Sequence, residues 1–154
     1  KYLPYYVSET GKSFIYRTME HVKCHLNGFY RIYNPEAFAK GKKELVWGGM
    51  WKTDRKSSKV MIEYLNNYQQ LSALAYAFLA QFRVFLAPLD SDDKRLRQRL
   101  EASLAQDLLK QEGIIGSFQD NDIRYYPRRH KEQAIKIRLK QNEQLLGLSC
   151  ELTI

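Results

Sequence analysis

Two hydrophobic rhythms divide the chain near Ser57. Before it, apolar and aromatic residues tend to alternate with polar ones, as on a half-buried strand. After it they recur every three or four positions, as on a helix with one buried face. YLPYYV and KSFIYR, on either side of SETG, read as two short strands rich in β-favouring aromatics. TMEHVKCHL reads as a short helix stopped by Asn27-Gly28. GFYRIY is the next strand, and NPEAF starts a helical turn with Asn34 as cap and Pro35 at the first position. KELVWGGMW follows as a strand whose paired glycines signal a bulge or a close backbone approach.

In the second rhythm, SSKVMIEYLNN and YQQLSALAYAFLAQF are helical, with Val60, Met61, Tyr64, Leu65, Leu71, Leu74, Ala75 and Phe78 at core-facing spacing. RVFLA is short, apolar and β-prone and reads as a buried strand. PLDSDD supplies a turn and acidic caps for the strongest helix, DKRLRQRLEASLAQDLLKQE, closed by Gly113. Leu96, Leu100, Leu104 and Leu108 form its expected buried stripe. DIRYY, QAIKIRL and CELTI read as closing strands. No repeat, low-complexity tract or linker interrupts the pattern. The expectation is one α+β domain over residues 1–154, with a small mixed or antiparallel sheet and helices packed on it.

Charge narrows the partner class. The 154 residues carry 25 Lys and Arg against 17 Asp and Glu, a formal net charge of +8. Residues 1–59 hold twelve cations against five acids, residues 60–122 six against nine, and residues 123–154 seven against three. Basic ends around an acidic middle suit a polyanion, nucleic acid first, although solubility alone accounts for the same excess. Two cysteines, Cys24 and Cys150, are too few for a disulfide framework, so an intracellular location (cytoplasm or nucleoid) is expected. LSALAYAFLAQFRVFLAPL is broken by Gln81, Arg83 and Pro88 and is better read as core than as a membrane span. No signal-peptide pattern opens the chain, and with Lys1 in place of Met the true N-terminus is expected to be missing.

Several residues stand in patterns that carry chemistry. Glu101 falls about 20° from Leu108 on the helical wheel, beside the buried stripe. A carboxylate there needs a cation, either Arg97 one turn earlier or a hard metal ion such as Mg²⁺. Asp107 lies between Leu96 and Leu100 on the same wheel. Gly28-Phe29-Tyr30, Trp47-Gly48-Gly49, Lys52 and Arg55, and then Glu101 follow one another along the chain. This order resembles the GIY-YIG endonuclease superfamily over about residues 28–120, leaving basic strands at 121–154. The match departs at Trp47, where the second motif has tyrosine, and at Lys59, where histidine or tyrosine is frequent. Asn121 is a loose counterpart of a later asparagine, and NPEAFAKGKK is an insertion. The resemblance implies a divalent-metal-dependent DNA endonuclease. Tyr30 and Lys52 would activate water, Mg²⁺ on Glu101 would polarise the phosphate, and Arg55 would brace the transition state. Cross-strand packing of Tyr30, and a solvated helix start at Lys52 and Arg55, are the alternatives. A rival placement uses Tyr5 or Tyr6 with Tyr16, Arg17, Thr18 and His21.

The remaining candidates are simpler. Arg124, Arg128, Arg129, Lys131, Lys136 and Arg138 crowd into YYPRRHKEQAIKIRLK, where Lys136 and Arg138 alternate with isoleucines. A nucleic-acid surface with tyrosine platforms fits this pattern, and so does an edge strand protected by charge. His21, Cys24 and His25 share a helical face, but zinc needs a fourth donor and the paired spacings of structural zinc sites are absent. Ser-His-Asp, Walker and Rossmann patterns are also absent, and Gly113-Ile114-Ile115-Gly116 reads as a loop. Endonuclease, noncatalytic nucleic-acid-binding module and basic subunit for an acidic protein partner are the readings that remain.

Overall fold

A computed structural model describes residues 2–50, 58–110, 125–140 and 145–154. The protein is α+β, with two two-stranded antiparallel sheets among the described residues. The chain divides into two compact units: a middle unit, Lys12–Ala87, and a terminal unit made of Lys1–Gly11 with Pro88–Ile154. No helix among the described residues is long and apolar enough to cross a membrane.

The middle unit is organised around glycines. Helix α1 (Phe14–Leu26) starts at Ser13, whose hydroxyl accepts the Tyr16 N–H at 3.2 Å, and stops at Asn27. Gly28 then takes φ +70°. Strand β1 (Ile32–Tyr33) leads into α2 (Pro35–Ala39), where the Asn34 carbonyl oxygen Oδ1 accepts the N–H groups of Glu36 and Ala37. Strand β2 (Leu45–Trp47) pairs antiparallel with β1, Ile32 opposite Trp47. Helices α3 (Ser58–Asn66) and α4 (Tyr68–Leu79) follow, and α4 touches β1, α1, α2 and α3. Ile32, Trp47, Met50, Tyr64, Leu71 and Ala75 form one buried cluster.

Gly28 makes that cluster possible. The Tyr64 ring lies so close that a Cβ on Gly28 would sit 2.5 Å from it. Trp47 Nε1–H donates to the Gly28 carbonyl at 2.7 Å, and Tyr64 Oη donates to the Leu26 carbonyl. Gly49, at φ +76°, comes close to the Phe29 and Tyr30 backbone, and the next amide, Met50, bonds the Phe29 carbonyl at 2.9 Å. Burying two aromatics with polar tips requires partners for those tips, and the carbonyls of Gly28 and Leu26 supply both.

The terminal unit is built on α5 (Lys94–Leu109), capped by Asp93, whose carboxylate accepts the Arg95 N–H at 2.7 Å. Strands β3 (Lys136–Arg138) and β4 (Glu151–Thr153) pair with Ile137 opposite Leu152, and α5 packs on β4. Tyr2 forms a lone parallel bridge to Leu145. Ala105 and Leu108 are buried, with Val7, Leu109, Tyr125 and Leu148 packed against them.

Several sequence expectations need correction. Residues 14–17 open a helix rather than a strand, because the Ser13 cap and packing on α4 outweigh the few tenths of a kcal/mol by which aromatics disfavour helix. That placement removes the second strand from the rival arrangement around Tyr16. Tyr5 and Tyr6 are not in strands, and only Ile32–Tyr33 of GFYRIY is extended. RVFLA is neither buried nor a strand: Val84, Phe85 and Leu86 are exposed, and Arg83 folds back to donate to the Ala80 and Phe82 carbonyls at the end of α4. Met61 and Leu65 face outward on α3. On α5 the buried residues are Arg99, Ala102, Ala105 and Leu108, spaced by three, so the buried face winds around the helix. Leu96, Leu100 and Leu104 are half-buried. Tyr125 and Tyr126 are not in a strand, and Gly113, Gly116 and residues 121–124 lie outside the described residues.

Replacing Gly28 by Ala should destabilise the protein by about 2–4 kcal/mol, combining left-handed strain with overpacking against Tyr64. Gly41 has a similar φ of +76° but open space around it, so Gly41→Ala should cost only about 1 kcal/mol. Urea unfolding of the two variants checks the difference. Equal costs would remove the Tyr64 contact from the account.

Candidate nucleic-acid interface

Of the residues expected to form a catalytic hairpin, Tyr30 lies among the described residues. Tyr30 sits in the loop between α1 and β1, its amide bonded to the Cys24 carbonyl at 3.1 Å. Its half-buried ring packs against two imidazoles, His21 at 5.8 Å and His25 at 5.1 Å between centroids. His25 also meets Phe78 edge-on at 5.8 Å. Burial, with the His21 charge beside it, pushes the His25 pKa down from 6.5 to about 4. Burial and then Arg17 lower that of His21. Lys52 and Arg55 lie outside the described residues.

Glu101 belongs to the terminal unit, whereas Tyr30 belongs to the middle one. Glu101 Oε1 accepts the Glu9 N–H at 3.1 Å, and Arg97 Nε–H reaches the Glu9 carboxylate at 3.2 Å. The carboxylate thus fixes the N-terminal segment on α5. Asp107 does the same farther along, accepting the Ser149 N–H at 2.8 Å and its hydroxyl at 3.0 Å. Among the described residues, no three His, Cys, Asp or Glu side chains gather where they could hold a metal ion, and His21, Cys24 and His25 are no exception.

The basic segment is where side chains converge. Arg95, in the first turn of α5, spreads its guanidinium over both ends of one loop. Its Nε and Nη2 groups donate to the two Glu132 carboxylate oxygens, each at 2.7 Å. Nη1 donates to the Tyr126 carbonyl and Nη2 to the Pro127 carbonyl, again at 2.7 Å. A segment from Tyr126 to Glu132 would span roughly 20 Å if extended; here one planar group holds its two ends together. Glu132 Oε2 also accepts the Arg129 N–H at 2.6 Å, and Arg128 Nη1 donates to the Glu132 carbonyl at 3.0 Å. The loop is therefore braced from outside and from within.

This brace uses up the acid of the segment. The Arg95 hydrogen bonds, followed by the Arg129 amide, hold the Glu132 carboxyl down at about 2, so it stays ionised and matched to Arg95. Arg128, Arg129, His130 and Lys131 are exposed around the loop. The side chains of Arg129 and Lys131 make no ion pair among the described residues. One turn along α5, buried Arg99 (7% exposed) donates from Nη2 to the Gln133 carbonyl at 2.6 Å and the Ile154 carbonyl at 2.7 Å. It fixes the chain where the loop enters β3. Lys136 and Arg138 are exposed on β3 while Ile137 is half-buried, so the expected alternation holds within the strand, although Ile135 just before it is exposed. Arg138 faces Glu151 at 3.9 Å in a solvated pair worth little. Arg124 lies outside the described residues.

Arg95, Arg99 and Glu132 were not among the candidates from sequence. Arg95 and Arg99 are one helical turn apart and share a face, which is a readable hint, but nothing in the spacing points to a partner 37 residues away. Comparisons with family models, curated proteins and solved structures give no match for this chain.

Two outcomes are expected. Glu132→Ala should raise the rate of trypsin cleavage after Arg128, Arg129 or Lys131 about tenfold, because opening the loop no longer breaks the fork. An unchanged rate would mean that the fork does not hold the loop. For His25, the folded pKa lies below the unfolded one, so the unfolded chain takes up the proton first. Its contribution is complete above about pH 6.5 and is lost progressively as pH falls toward 4, by about 3 kcal/mol in all. Urea midpoints measured from pH 7 to pH 4.5 should therefore fall more steeply for the parent protein than for His25→Gln.

Proposed function

We propose that the protein binds nucleic acid through the Tyr126–Glu132 loop and strand β3, as a noncatalytic module. One observation carries this reading: the Arg95–Glu132 fork neutralises the segment's acid and holds a rigid loop from which cations project. Residues 126–140 contain Arg128, Arg129, Lys131, Lys136, Arg138 and Lys140 against Glu132 alone. With Glu132 occupied by Arg95, the surplus is offered to a polyanion. Phosphate binding of this kind gains from released counterions and is sequence-indifferent and salt-sensitive.

The endonuclease reading asks more of the chain. It needs Tyr30, Lys52, Arg55 and a Mg²⁺-bearing Glu101 at one phosphate, and no observation among the described residues favours it over binding alone. An acidic protein partner would use the same cations, but an acidic protein lacks the regular phosphate spacing that makes affinity fall linearly with log salt.

The test is fluorescence anisotropy with labelled oligonucleotides over a range of salt concentrations. Arg129→Ala with Lys131→Ala should weaken binding roughly tenfold and reduce the log–log salt slope by about two, whereas Lys40→Ala with Lys42→Ala should change neither. Equal effects of the two pairs would reduce the reading to diffuse net charge. Supercoiled plasmid incubated in Mg²⁺ and in EDTA, beside Glu101→Ala, separates binding from hydrolysis. Metal-dependent cutting lost in that variant would restore the endonuclease.

A further inference from the structure

We infer that the outer face of α4 is an interface between two copies of this chain, packed antiparallel so that the Tyr76 ring of each covers Ala73 of the other. This inference is independent of the nucleic-acid reading above.

Packing in the middle unit accounts for one side of α4. Leu71, Ala75 and Phe78 are buried and turn toward the core. At about 100° per residue, Gln69, Ala73, Tyr76 and Ala80 fall on the opposite side. All four are exposed. Tyr76 is 73% exposed, more than any other aromatic residue among those described. A helix that faces water normally carries charge on its outer side. Here residues 64–82 contain no Asp, Glu, Lys, Arg or His, in a chain of net charge +8. An uncharged outer face with a projecting ring has the pattern of a surface that is covered.

Charge selects the occupant. A charged partner finds no counter-ion on this face, and nucleic acid finds no cation. Two copies of so basic a chain repel wherever their cations meet, and this face contributes none. The spacing is also self-complementary, as an interface between identical copies requires. Gln69, Ala73, Tyr76 and Ala80 are separated by four, three and four positions, the seam spacing of paired helices. Reversing one copy against the other sets position 73 opposite 76 and position 69 opposite 80. Each large ring then meets a methyl group rather than a second ring, which is how facing layers fill without voids. Antiparallel helices also bring opposite dipole ends together. A seam of this length on a helix of 12 residues covers far less than the roughly 800 Å² per partner of a standard interface, so the dimer is weak and concentration-dependent.

The experiment is equilibrium sedimentation of the full chain, freed of nucleic acid, from low micromolar to near-millimolar concentration. The average mass should rise toward that of two chains. It should rise more readily at high salt than at low, because screening relieves repulsion between the copies and leaves a neutral interface intact. Tyr76→Lys should weaken association about tenfold or more. Tyr76→Phe, which keeps the ring, should associate like the parent and show that the loss is not one of folding. Ile15→Lys, a charge placed at a 78% exposed position of α1, should have no effect. A parent chain that stays monomeric at the highest concentration, or association indifferent to Tyr76→Lys, would overturn the inference. So would association that weakens as salt rises, or that Ile15→Lys abolishes equally.

Discussion

Irregular chain beside a helix is stable only if its amides and carbonyls find partners, and in the terminal unit α5 provides them with its side chains. Arg95 takes the Tyr126 and Pro127 carbonyls, Arg99 those of Gln133 and Ile154, Glu101 the Glu9 amide, and Asp107 the Ser149 amide. Side chains spaced along the helix thus reach different segments of the chain. The short ladder between β3 and β4 cannot organise so much loop by itself, and a two-stranded ribbon is marginal alone. Hydrogen bonds to charged groups are stronger than neutral ones, which is why arginines and carboxylates do this work and why one of them, Arg99, is tolerated in the interior.

The middle unit solves the same problem with glycine. Gly28 gives up a side chain so that Tyr64 can lie against its backbone, and its own carbonyl accepts the Trp47 indole. Gly49 lets β2 close on the Phe29 carbonyl. The sequence features that resemble an endonuclease hairpin, Gly-Phe-Tyr and Trp-Gly-Gly, therefore have a sufficient explanation in packing. Trp47 is a buried, hydrogen-bonded core residue.

Local signals in the sequence were legible where the physics was local. Asn34-Pro35, the stop at Asn27-Gly28, the close approach at Gly49, the start of α5 near the acidic cap and the alternation through Lys136, Ile137 and Arg138 could each be read, because each rests on a few neighbouring residues. Phe14–Arg17 and RVFLA misled because β-branched and aromatic residues suit strand or helix until a cap or a packing partner decides. Here the Ser13 cap and packing on α4 favour helix in the first case, and in the second Val84, Phe85 and Leu86 stay exposed. Glu101 was rightly placed near the interior, but its ligand is a backbone amide 92 residues away, and spacing carries no information about that. The Arg95 fork is illegible in the sequence for the same reason.

The fork also bears on what kind of site the basic loop can be. Catalysis of phosphodiester hydrolysis needs groups that change protonation or hold a metal, whereas the Glu132 carboxyl is held near 2 and its oxygens are taken by Arg95 and Arg129. A group fixed in this way neither gives nor receives protons near neutral pH, but it is well suited to keeping a shape. Around the loop the long side chains of Arg128, Arg129 and Lys131 are exposed, while the Arg95 and Glu132 hydrogen bonds hold the backbone beneath them. The fork therefore gives the terminal unit a fixed loop whose one acid is matched to Arg95 beneath exposed cations.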